Sequence, residues 1–485
     1  MRHLIGIDVG TSGTKTVLFD EAGNALRSKT VEYPMYQPQN GWAEQNPEDW
    51  WNAVTETLKS VADGVDNIAG LGLSGQMHGL VMLDEDYNVI RPSIIWCDQR
   101  TAKECEEITA KIGADKLFEI TAAPALTGFT ASKILWVRNN EPDNYKRCRH
   151  ILLPKDYIRF KLTGELATEV SDASGTQLLN IKNRCWSDEL LSGLSIDKNL
   201  LPKVYESAEV TGYIKGLGVC EGVPVAGGGG DNACAAVGTG VVCEGRAFTT
   251  IGTSGVVFAH TDKPVIDMSG RVHTFCCAVP GKWHVMGVTQ AAGLSLKWFK
   301  GNFMSGISYR EMDEMAEATP VGADKLIYLP YLMGERTPHL DADARGVFFG
   351  LSAMHGQGHL CRAVLEGVGY SLRDCLEVLK EMDVPVSDMT AIGGGGTSAV
   401  WRQIISDIYG LPIKTITSQE GAALGAAILA GAAAKVYESV EEGCAAAIKP
   451  DVVQNPSGEN TQAYDKYYDI YKSLYSKLKD EYKRL

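Results

Sequence analysis

The feature that most constrains the fold is a four-residue sequence that occurs twice, about half a chain apart. Gly10-Thr11-Ser12-Gly13 recurs as Gly252-Thr253-Ser254-Gly255. Each copy follows one β-rich run and precedes another, and its small residues permit a tight turn without strain. A short match can arise by chance, but matching flanks at this spacing favour two duplicated domains, each with a strand–turn–strand hairpin. We place the boundary near Cys243, which predicts domains over residues 1–243 and 244–485.

The segments around these hairpins alternate between strand and helix patterns, which indicates an α/β protein. Residues 68–74 and 80–83 are β-rich. A helix is expected to begin at Pro47, because Asn46 is a capping residue and acidic residues follow. The buried stripe expected for this helix consists of Trp51, Val54, Leu58 and Val61. Apolar and aromatic residues between 464 and 482 recur at helical spacing, which predicts an amphipathic helix packed on a domain.

Composition narrows the class of partner. The chain of 485 residues has 46 basic and 60 acidic side chains, a net charge of −14. Nucleic acids and anionic membranes require clustered Lys and Arg, so we expect neither as a partner. The cysteines form no Cys-x-x-Cys pair and the N-terminus has no signal-peptide pattern, which predicts a reduced, cytoplasmic protein. A local nest of backbone N–H groups can still hold an anionic substrate against the net charge.

The first hairpin carries a carboxylate directly before its turn. The turn can present N–H groups and hydroxyls to phosphate oxygens. Asp8 can hold Mg²⁺, directly or through water, because hard cations prefer oxygen ligands. A single copy would be interpreted as a plain hairpin with a solvated aspartate, but two copies on opposed domains can grip one polyphosphate. The residues expected at the phosphates are Gly10, Thr11, Ser12, Lys15, Gly252, Thr253 and Ser254.

Two glycine runs each lie between a predicted strand and a predicted helix. Residues 227–230 precede Asp231, and four missing side chains would let a substrate approach that carboxylate. Asp is also a favoured N-cap, but a cap does not need four glycines before it. We therefore interpret Asp231 as the acceptor of a hydroxyl proton, kept ionised by the helix dipole. Residues 393–396 would admit an adenine or a ribose to the backbone, or serve only close packing.

The loop Ser74-Gly75-Gln76-Met77-His78-Gly79 lies between two predicted strands. Its Gln and His offer polar groups for sugar hydroxyls, and its glycines leave room. A structural histidine in a turn explains these residues about equally well. The sequence contains no Walker A pattern, no Gly-x-Ser-x-Gly elbow and no His-Glu-x-x-His motif, which disfavours P-loop kinases, α/β hydrolases and zincins.

Taken together, these motifs resemble the FGGY carbohydrate kinases of the actin/hexokinase/heat-shock-chaperone superfamily, over essentially the whole chain. The first family signature fits residues 128–140, and the second fits segments between residues 346 and 366. Further motifs with the same resemblance are Trp96-x-Asp98-x-Arg100, Leu153-Pro154-Lys155-Asp156-Tyr157 and Tyr331-Leu332-x-Gly334-Glu335-Arg336-Thr337-Pro338. The resemblance implies an α/β fold of two actin-like ATPase (ribonuclease H-like) domains that flank a deep cleft.

The resemblance also implies an activity, the ATP- and Mg²⁺-dependent phosphorylation of D-xylulose at its terminal hydroxyl. It assigns Asp231 as the catalytic base, and Asp8, expected from its position to hold Mg²⁺ directly or through water, is the second expected catalytic residue. The substrate-binding residues that it implies are Gln76, Met77, His78, Trp96, Asp98, Asp231 and Asn232. The adenosine-site residues that it implies are Gly293, Gly394 and Gly395. The sugar and the base would belong to the first domain, and the adenosine site to the second.

Other functions stay open on the sequence alone. One is a kinase of the same family for another pentulose, a polyol or a sugar acid. Another is a non-catalytic, chaperone-like ATPase with the same nucleotide clamp, although such a protein needs neither the sugar loop nor Asp231. The expected ligands are a small sugar and ATP, and a homodimer stays open as an assembly.

Overall fold

The computed structural model describes residues 2–418 and 420–485. Two sheets of seven strands each dominate this part of the chain, and short two-stranded pairs decorate them. The strands are β1 His3–Val9, β2 Gly13–Asp20, β3 Ala25–Glu32, β4 Glu44–Gln45, β5 Ile68–Gly75, β6 Val81–Leu83, β7 Ser93–Ile94, β8 His150–Leu152, β9 Ala167–Glu169, β10 Leu179–Asn180, β11 Cys185–Trp186, β12 Lys203–Tyr205, β13 Val210–Tyr213, β14 Pro224–Ala226, β15 Gly229–Gly230, β16 Gly245–Ile251, β17 Gly255–Thr261, β18 His273–Cys276, β19 Trp283–Thr289, β20 Ile327–Leu329, β21 Val347–Phe349, β22 Val386–Ile392, β23 Ile413–Ile416 and β24 Pro450–Gln454.

Helices cover the sheets, as α/β architecture requires for strands with two apolar faces. They are α1 Pro47–Ala62, α2 Ala102–Ile112, α3 Ala114–Thr121, α4 Thr130–Asn140, α5 Pro142–Arg147, α6 Pro154–Thr163, α7 Val170–Ser174, α8 Asp188–Leu194, α9 Asp231–Gly238, α10 Gly293–Phe303, α11 Tyr309–Glu317, α12 Gln357–Glu381, α13 Ala399–Tyr409, α14 Gly421–Ala433, α15 Val440–Ala447 and α16 Gly458–Tyr482. No helix in these described ranges combines the length and the apolar character that crossing a bilayer requires.

The two large sheets repeat one local arrangement. The first has the order β13-β14-β5-β1-β2-β3, with β15 also paired to β5, and the second has the order β18-β19-β17-β16-β22-β23-β24. In each, a hairpin (β1–β2 or β16–β17) is antiparallel, and its first strand pairs in parallel with a later strand (β5 or β22). The prediction that each copy of the repeated turn joins two strands of a hairpin is therefore confirmed.

Helix α1 shows how well local signals fix an element and where they fail. It begins at Pro47, and the side chain of Asn46 accepts a hydrogen bond from the backbone N–H of Glu48, as predicted. The prediction of a buried Trp51 is wrong, because Trp50 is the fully buried indole and Trp51 is only half-buried. Residue 50 lies four positions before Val54, so its side chain shares the helix face that packs on the sheet.

Helix α14, which is rich in small residues, packs on the first sheet, and its position in the chain does not indicate this contact. It lies in the chain between β23 and β24 of the second sheet, yet it packs on β1 and β5 of the first sheet and on α9. A Cβ on Gly6 or Gly72 would lie 1.9 Å from a carbonyl oxygen of Ala423 or Ala426, so only glycine permits this approach. The predicted boundary near Cys243 stays a prediction, and α14 lies on the first sheet although it comes from beyond that boundary.

Candidate active site

Asp8 lies at the carboxyl end of β1, between two strands that restrain it. Its register partners are Lys15 on the antiparallel β2 and Ser74 on the parallel β5. The Ser74 hydroxyl donates to Oδ1 of Asp8 over 2.8 Å. Burial raises the pKa of Asp8, against the opposing effects of Ser74 and Lys15. One carboxylate oxygen is thus held by the protein, and the group stays at the first turn.

The first turn is held by residues from other elements. Trp96 Nε1 donates to the Thr11 hydroxyl over 2.9 Å, and Gln45 Nε2 donates to the Thr11 carbonyl over 2.6 Å. Gln76 Nε2 donates to Oε1 of Gln45 over 2.8 Å, and the Gln76 residue is only 1% exposed. Gln76 and Trp96 therefore support the phosphate turn directly, and their predicted contacts with a sugar stay predictions. Gln45 carries no motif that sequence reasoning could have used.

Lys15 is engaged by a residue from the far end of the chain. Its ammonium forms an ion pair with the carboxylate of Glu420, which precedes α14. This pair joins the first hairpin to the helix that lies across the first sheet. The predicted phosphate contact of Lys15 stays a prediction, and the structure adds Glu420 as its partner, which no local signal indicates.

Asp231 is the first residue of α9, and the N-cap position belongs to Gly230. The capping interpretation of Asp231 therefore fails. Its Oδ1 instead accepts from the backbone N–H and the side-chain amide of Asn232, over 2.7 and 2.9 Å. Asn232 thus orients the carboxylate, and its own predicted sugar contact is untested.

The glycines before Asp231 are required by packing. A Cβ on Gly228 would lie 2.0 Å from the Leu73 carbonyl oxygen, and one on Gly230 would lie 2.8 Å from Sδ of Met77. Gly229 and Gly230 form the short strand β15, which pairs in parallel with β5 at Ser74 and Gly75. The space beside Gly228 and Gly230 is therefore filled by β5 and Met77, and this brings the sugar loop against the residue that precedes Asp231.

The charge state of Asp231 follows from its surroundings. Burial, followed by the negative charge of Asp8, raises the pKa of Asp231 to about 6, against the hydrogen bonds from Asn232. Desolvation and a like charge thus outweigh the stabilisation that a helix N-terminus gives to a carboxylate. At neutral pH most molecules still hold an ionised Asp231, and its basicity is higher than that of an ordinary aspartate.

His78 is held in the left-handed region, with φ of 69°. Its Nδ1 lies 2.8 Å from the Gly175 carbonyl oxygen, which can only accept, so Nδ1 carries the proton and Nε2 is an acceptor. Burial lowers the pKa of His78 to about 3, so the ring is neutral. Lys133 Nζ and Thr130 Oγ1 donate to the His78 carbonyl over 2.8 and 3.1 Å, which fixes this backbone.

Asp98 is placed differently from the other predicted sugar-binding residues. It is 0% exposed, and its Oδ2 accepts from the backbone N–H of Ala43 over 2.6 Å. The Arg100 guanidinium pairs with the same carboxylate over 2.7 Å. These contacts make Asp98 a support for its loop, and the sugar contact implied for it by resemblance remains untested.

The second turn assembles the predicted adenosine-site residues. The backbone N–H groups of Ala292 and Leu294 both donate to the Thr253 carbonyl, each over 3.1 Å. Gly293 begins α10, its N–H donates to the Gly252 carbonyl over 2.7 Å, and a Cβ there would lie 2.5 Å from that oxygen. The start of α10 is therefore packed directly on the turn.

The glycine run 393–396 meets the same turn from the other side. A Cβ on Gly395 would lie 2.4 Å from Cγ2 of Ile251, the residue before the turn, whereas a Cβ on Gly394 would meet nothing within 4 Å. Gly394 therefore offers open backbone, while Gly395 serves close packing. Gly293 and Gly395 therefore both pack on the second turn, at Gly252 and Ile251, and the adenosine contacts implied for Gly293, Gly394 and Gly395 stay predictions.

Two hairpins with flanking glycine turns, each on its own α/β sheet, are the arrangement that the resemblance to the actin-like superfamily implies. Residues 3–238 match the N-terminal domain of the FGGY family of carbohydrate kinases, and residues 247–434 match its C-terminal domain. The chain belongs to the FGGY family of carbohydrate kinases. The predicted family, the enzyme class and the two-domain α/β fold are confirmed.

Individual relatives extend this match over the full length. The xylulose kinase of Bacillus subtilis (strain 168) is 39% identical, over 99% of this chain and 98% of its own. A ligand-bound xylulose kinase from Lactobacillus acidophilus superposes with a TM-score of 0.94 at 30% identity, covering 100% of both chains. A gluconate kinase from the same organism also gives 0.94 at 30% identity, over 100% of this chain and 99% of that one.

Proposed function

We propose that this kinase transfers the terminal phosphoryl group of ATP to the terminal hydroxyl of D-xylulose, giving D-xylulose 5-phosphate. The observation that carries the proposal is the contact of Met77, in the loop that also holds His78, with the short strand that precedes Asp231. A base, a loop with a hydrogen-bond acceptor and the first phosphate turn are thereby adjacent. The similarity to kinases named for xylulose, over nearly the whole chain, supports this choice of sugar.

Asp231 is the proposed general base. In the transfer, the sugar oxygen forms a bond to the γ-phosphorus, the bond from that phosphorus to the bridging oxygen of ATP breaks, and the hydroxyl proton passes to Asp231. A base with a pKa near 6 is well matched to accept this proton near neutral pH. Asn232 holds Oδ1, which aims the other carboxylate oxygen at the acceptor hydroxyl.

The residues around Asp8 fit Mg²⁺. No group of three or more His, Cys, Asp or Glu residues that could hold a metal occurs within residues 2–418 and 420–485. Mg²⁺ in kinases is typically held by one or two carboxylates, by water and by the substrate phosphates, so a single Asp8 suffices. The mutual repulsion of Asp8 and Asp231 is what a cation would relieve. When bound, Mg²⁺ would neutralise charge on the phosphates.

The repeated turns are the proposed phosphate cradle. Ser12, Thr253 and Ser254 are exposed at the tips of the hairpins. Exposed hydroxyls and backbone N–H groups at two turns can share one polyphosphate. The open backbone at Gly394 is the proposed site for the adenosine moiety.

The neutral His78 is the proposed sugar-specificity residue. Its Nε2 can accept a hydrogen bond from a sugar hydroxyl, because Nδ1 is committed to Gly175. Phe129 lies beside it at a ring distance of 4.8 Å and restricts how a ligand can approach. A neutral acceptor beside an aromatic ring suits an uncharged polyhydroxylated substrate.

The test is a coupled ADP-release assay of the purified chain with D-xylulose, D-ribulose, glycerol and gluconate. We expect the highest kcat/KM with D-xylulose. A preference for gluconate would overturn the proposed sugar, and the second L. acidophilus structure makes gluconate the competing candidate. The chaperone-like alternative is set aside, because the chain belongs to a family of kinases. A homodimer stays a prediction.

A further inference from the structure

Glu335, Arg336 and Thr337 lie in a motif that the proposed function leaves without a role. Glu335 is 3% exposed, and its Oε1 accepts from the backbone N–H groups of Gln290 and Arg336 over 2.9 and 2.8 Å. Its Oε2 accepts from the hydroxyls of Thr289 and Ser371 over 2.7 and 3.0 Å. Both oxygens of the buried carboxylate therefore accept hydrogen bonds, and these bonds fix the backbone at Arg336 to the end of β19.

Thr337 fixes the other side of Arg336. Its backbone N–H donates to the Val288 carbonyl, and its hydroxyl accepts from the Val288 N–H, both over 3.0 Å. The same hydroxyl donates to the Arg271 carbonyl over 2.6 Å. The Arg336 backbone is thus fixed to β19 of the second sheet and to Arg271, two residues before β18.

The side chain of Arg336 is not committed in the same way. The residue is exposed, and within the described part of the chain its guanidinium forms neither an ion pair nor a hydrogen bond. By comparison, Arg271 pairs with Asp267 over 3.1 Å, and Arg100 pairs with Asp98. A fixed backbone with an unpaired guanidinium is the arrangement expected of an arginine that binds a ligand.

The position of Arg336 lies between the two proposed half-sites. On one side is His273, two residues from Arg271, and its ring is 5.9 Å from Phe129, which in turn packs on His78. The positive charge of Arg336 contributes to the lowered pKa of both histidines, after burial as the main cause. Arg336 therefore borders the proposed sugar loop.

On its other side Arg336 borders the second phosphate turn. It shares the Glu335 carboxylate with Gln290, and two residues further on the Ala292 N–H donates to the Thr253 carbonyl over 3.1 Å. A phosphoryl group that leaves a nucleotide held at the second turn and reaches a sugar held at His78 must cross the space between them. Because Arg336 borders both regions, its exposed guanidinium is within reach of the path between them.

We propose that Arg336 is a catalytic residue that contacts the phosphoryl group during its transfer. The inference rests on the proposed function, in which a bond from phosphorus to the sugar oxygen forms, the bond to ADP breaks and the proton goes to Asp231. Arg336 keeps its own protons and donates two N–H groups to the non-bridging oxygens. Its planar fork matches these oxygens in a way that a lysine ammonium cannot, so the role demands arginine.

The test compares Arg336→Gln and Arg336→Lys with the wild type and with Arg310→Gln. Arg310 on α11 is a matched control, because its side chain is 87% exposed and forms a surface ion pair with Glu314. We expect kcat of Arg336→Gln to fall about 10²–10³-fold, as on loss of one charge-stabilising donor. Arg336→Lys should recover only part of this loss, and both KM values should change little.

A second readout separates this role from a structural one. Fluoroaluminate bound with MgADP and sugar mimics the phosphoryl group during its transfer. The affinity for this combination should fall in Arg336→Gln. The affinity for MgADP alone should match that of the wild type. A raised sugar KM with unchanged kcat would overturn the proposal in favour of a sugar contact. Turnover like that of Arg310→Gln would also overturn it.

The same measurements keep this proposal apart from the choice of sugar. The variants are compared on whichever sugar of the panel the wild type phosphorylates best. If that sugar is not D-xylulose, the proposed function fails while the Arg336 comparison still gives its result. Normal MgADP affinity in each variant shows that the protein is folded.

Discussion

Met77 packs directly against Gly230, so closely that a Cβ on Gly230 would lie 2.8 Å from Sδ of Met77. Gly230 precedes Asp231, and Met77 precedes His78. The proposed base and the proposed sugar acceptor are therefore positioned by one contact. Any change at this contact moves the two groups relative to each other.

We expect Gly230→Ala to impair activity more than folding. The Met77 side chain is flexible and can yield, at a cost of about 1–3 kcal/mol typical of overpacking, but its shift displaces the sugar loop. The sugar KM should rise and kcat should fall, measured by steady-state kinetics. Gly301→Ala is the control, because a Cβ at Gly301 meets nothing within 4 Å; equal activity in both variants would show that the contact is unimportant.

Asp231→Asn should remove most of the turnover and retain both ligands. Loss of a general base costs typically about 10²–10⁴-fold in rate, whereas the amide keeps the shape of the carboxyl group. The measurements are kcat from the coupled assay and dissociation constants from calorimetry. Turnover within a few-fold of the wild type would reduce Asp231 to a structural residue.

The pH dependence follows from the raised pKa of Asp231. Protonated Asp231 cannot accept the hydroxyl proton, so kcat/KM should fall as the pH drops through about 6. Stability has the opposite sign: the folded state binds this proton more tightly than the unfolded state, so the ionised carboxylate costs stability as the pH rises from about 4 to 6. Asp231→Asn should therefore raise Tm at pH 7.5, and this gain should shrink toward pH 5. A Tm gain that did not depend on pH would refute the assignment.

The second turn gives a prediction about the nucleotide. Thr253→Val removes a hydroxyl that is exposed at the tip of the hairpin, and we expect weaker MgATP binding with unchanged sugar binding. Calorimetric titration of each ligand measures this. Thr30→Val, at an exposed position on β3, is the matched control. Weakened sugar binding with normal nucleotide binding would reverse the proposed division of the two sites.

Local sequence patterns predicted correctly those elements whose formation depends on neighbouring residues in the chain. The hairpins, the start of α1 and the strand–glycine–helix turns follow from residues next to one another. Strand β15 was missed, because Gly229-Gly230 has no β propensity and gains its pairing only from β5. The burial of Trp50 was missed by one position, since two adjacent tryptophans leave the helix phase open.

Several contacts in the site join residues that are far apart in the sequence, and sequence reasoning did not predict them. Lys15 pairs with Glu420, and the carbonyl of Thr11 accepts from Gln45. Neither partner belongs to a motif that the sequence analysis used. Lys133 lies within the first family signature at residues 128–140, but its hydrogen bond to the His78 carbonyl depends on how α4 approaches the sugar loop. The sequence indicated which residue types gather at the site, and the fold determined which of them remain free for a ligand.

His78 gives the most specific prediction about the sugar. Its Nε2 is the acceptor left after Nδ1 bonds to Gly175, and Lys133 and Thr130 hold its strained backbone. A substrate whose hydroxyl points elsewhere leaves this buried acceptor unpaired, which costs roughly 1–3 kcal/mol. D-ribulose, the epimer of D-xylulose, should therefore be the poorer substrate of the wild type by about ten-fold or more, since ten-fold corresponds to about 1.4 kcal/mol.

We expect His78→Ala to raise the KM for D-xylulose strongly and to leave the KM for ATP nearly unchanged, because its ring contacts Gly175 and Phe129 beside the proposed sugar loop. The ratio of kcat/KM between D-xylulose and D-ribulose should also shrink, since one discriminating acceptor has been removed. His78→Asn restores a neutral polar group of smaller size and should recover part of the discrimination. Steady-state kinetics of the three proteins on both sugars measure this. An unchanged ratio in His78→Ala would assign sugar recognition to other residues and leave His78 as a structural histidine.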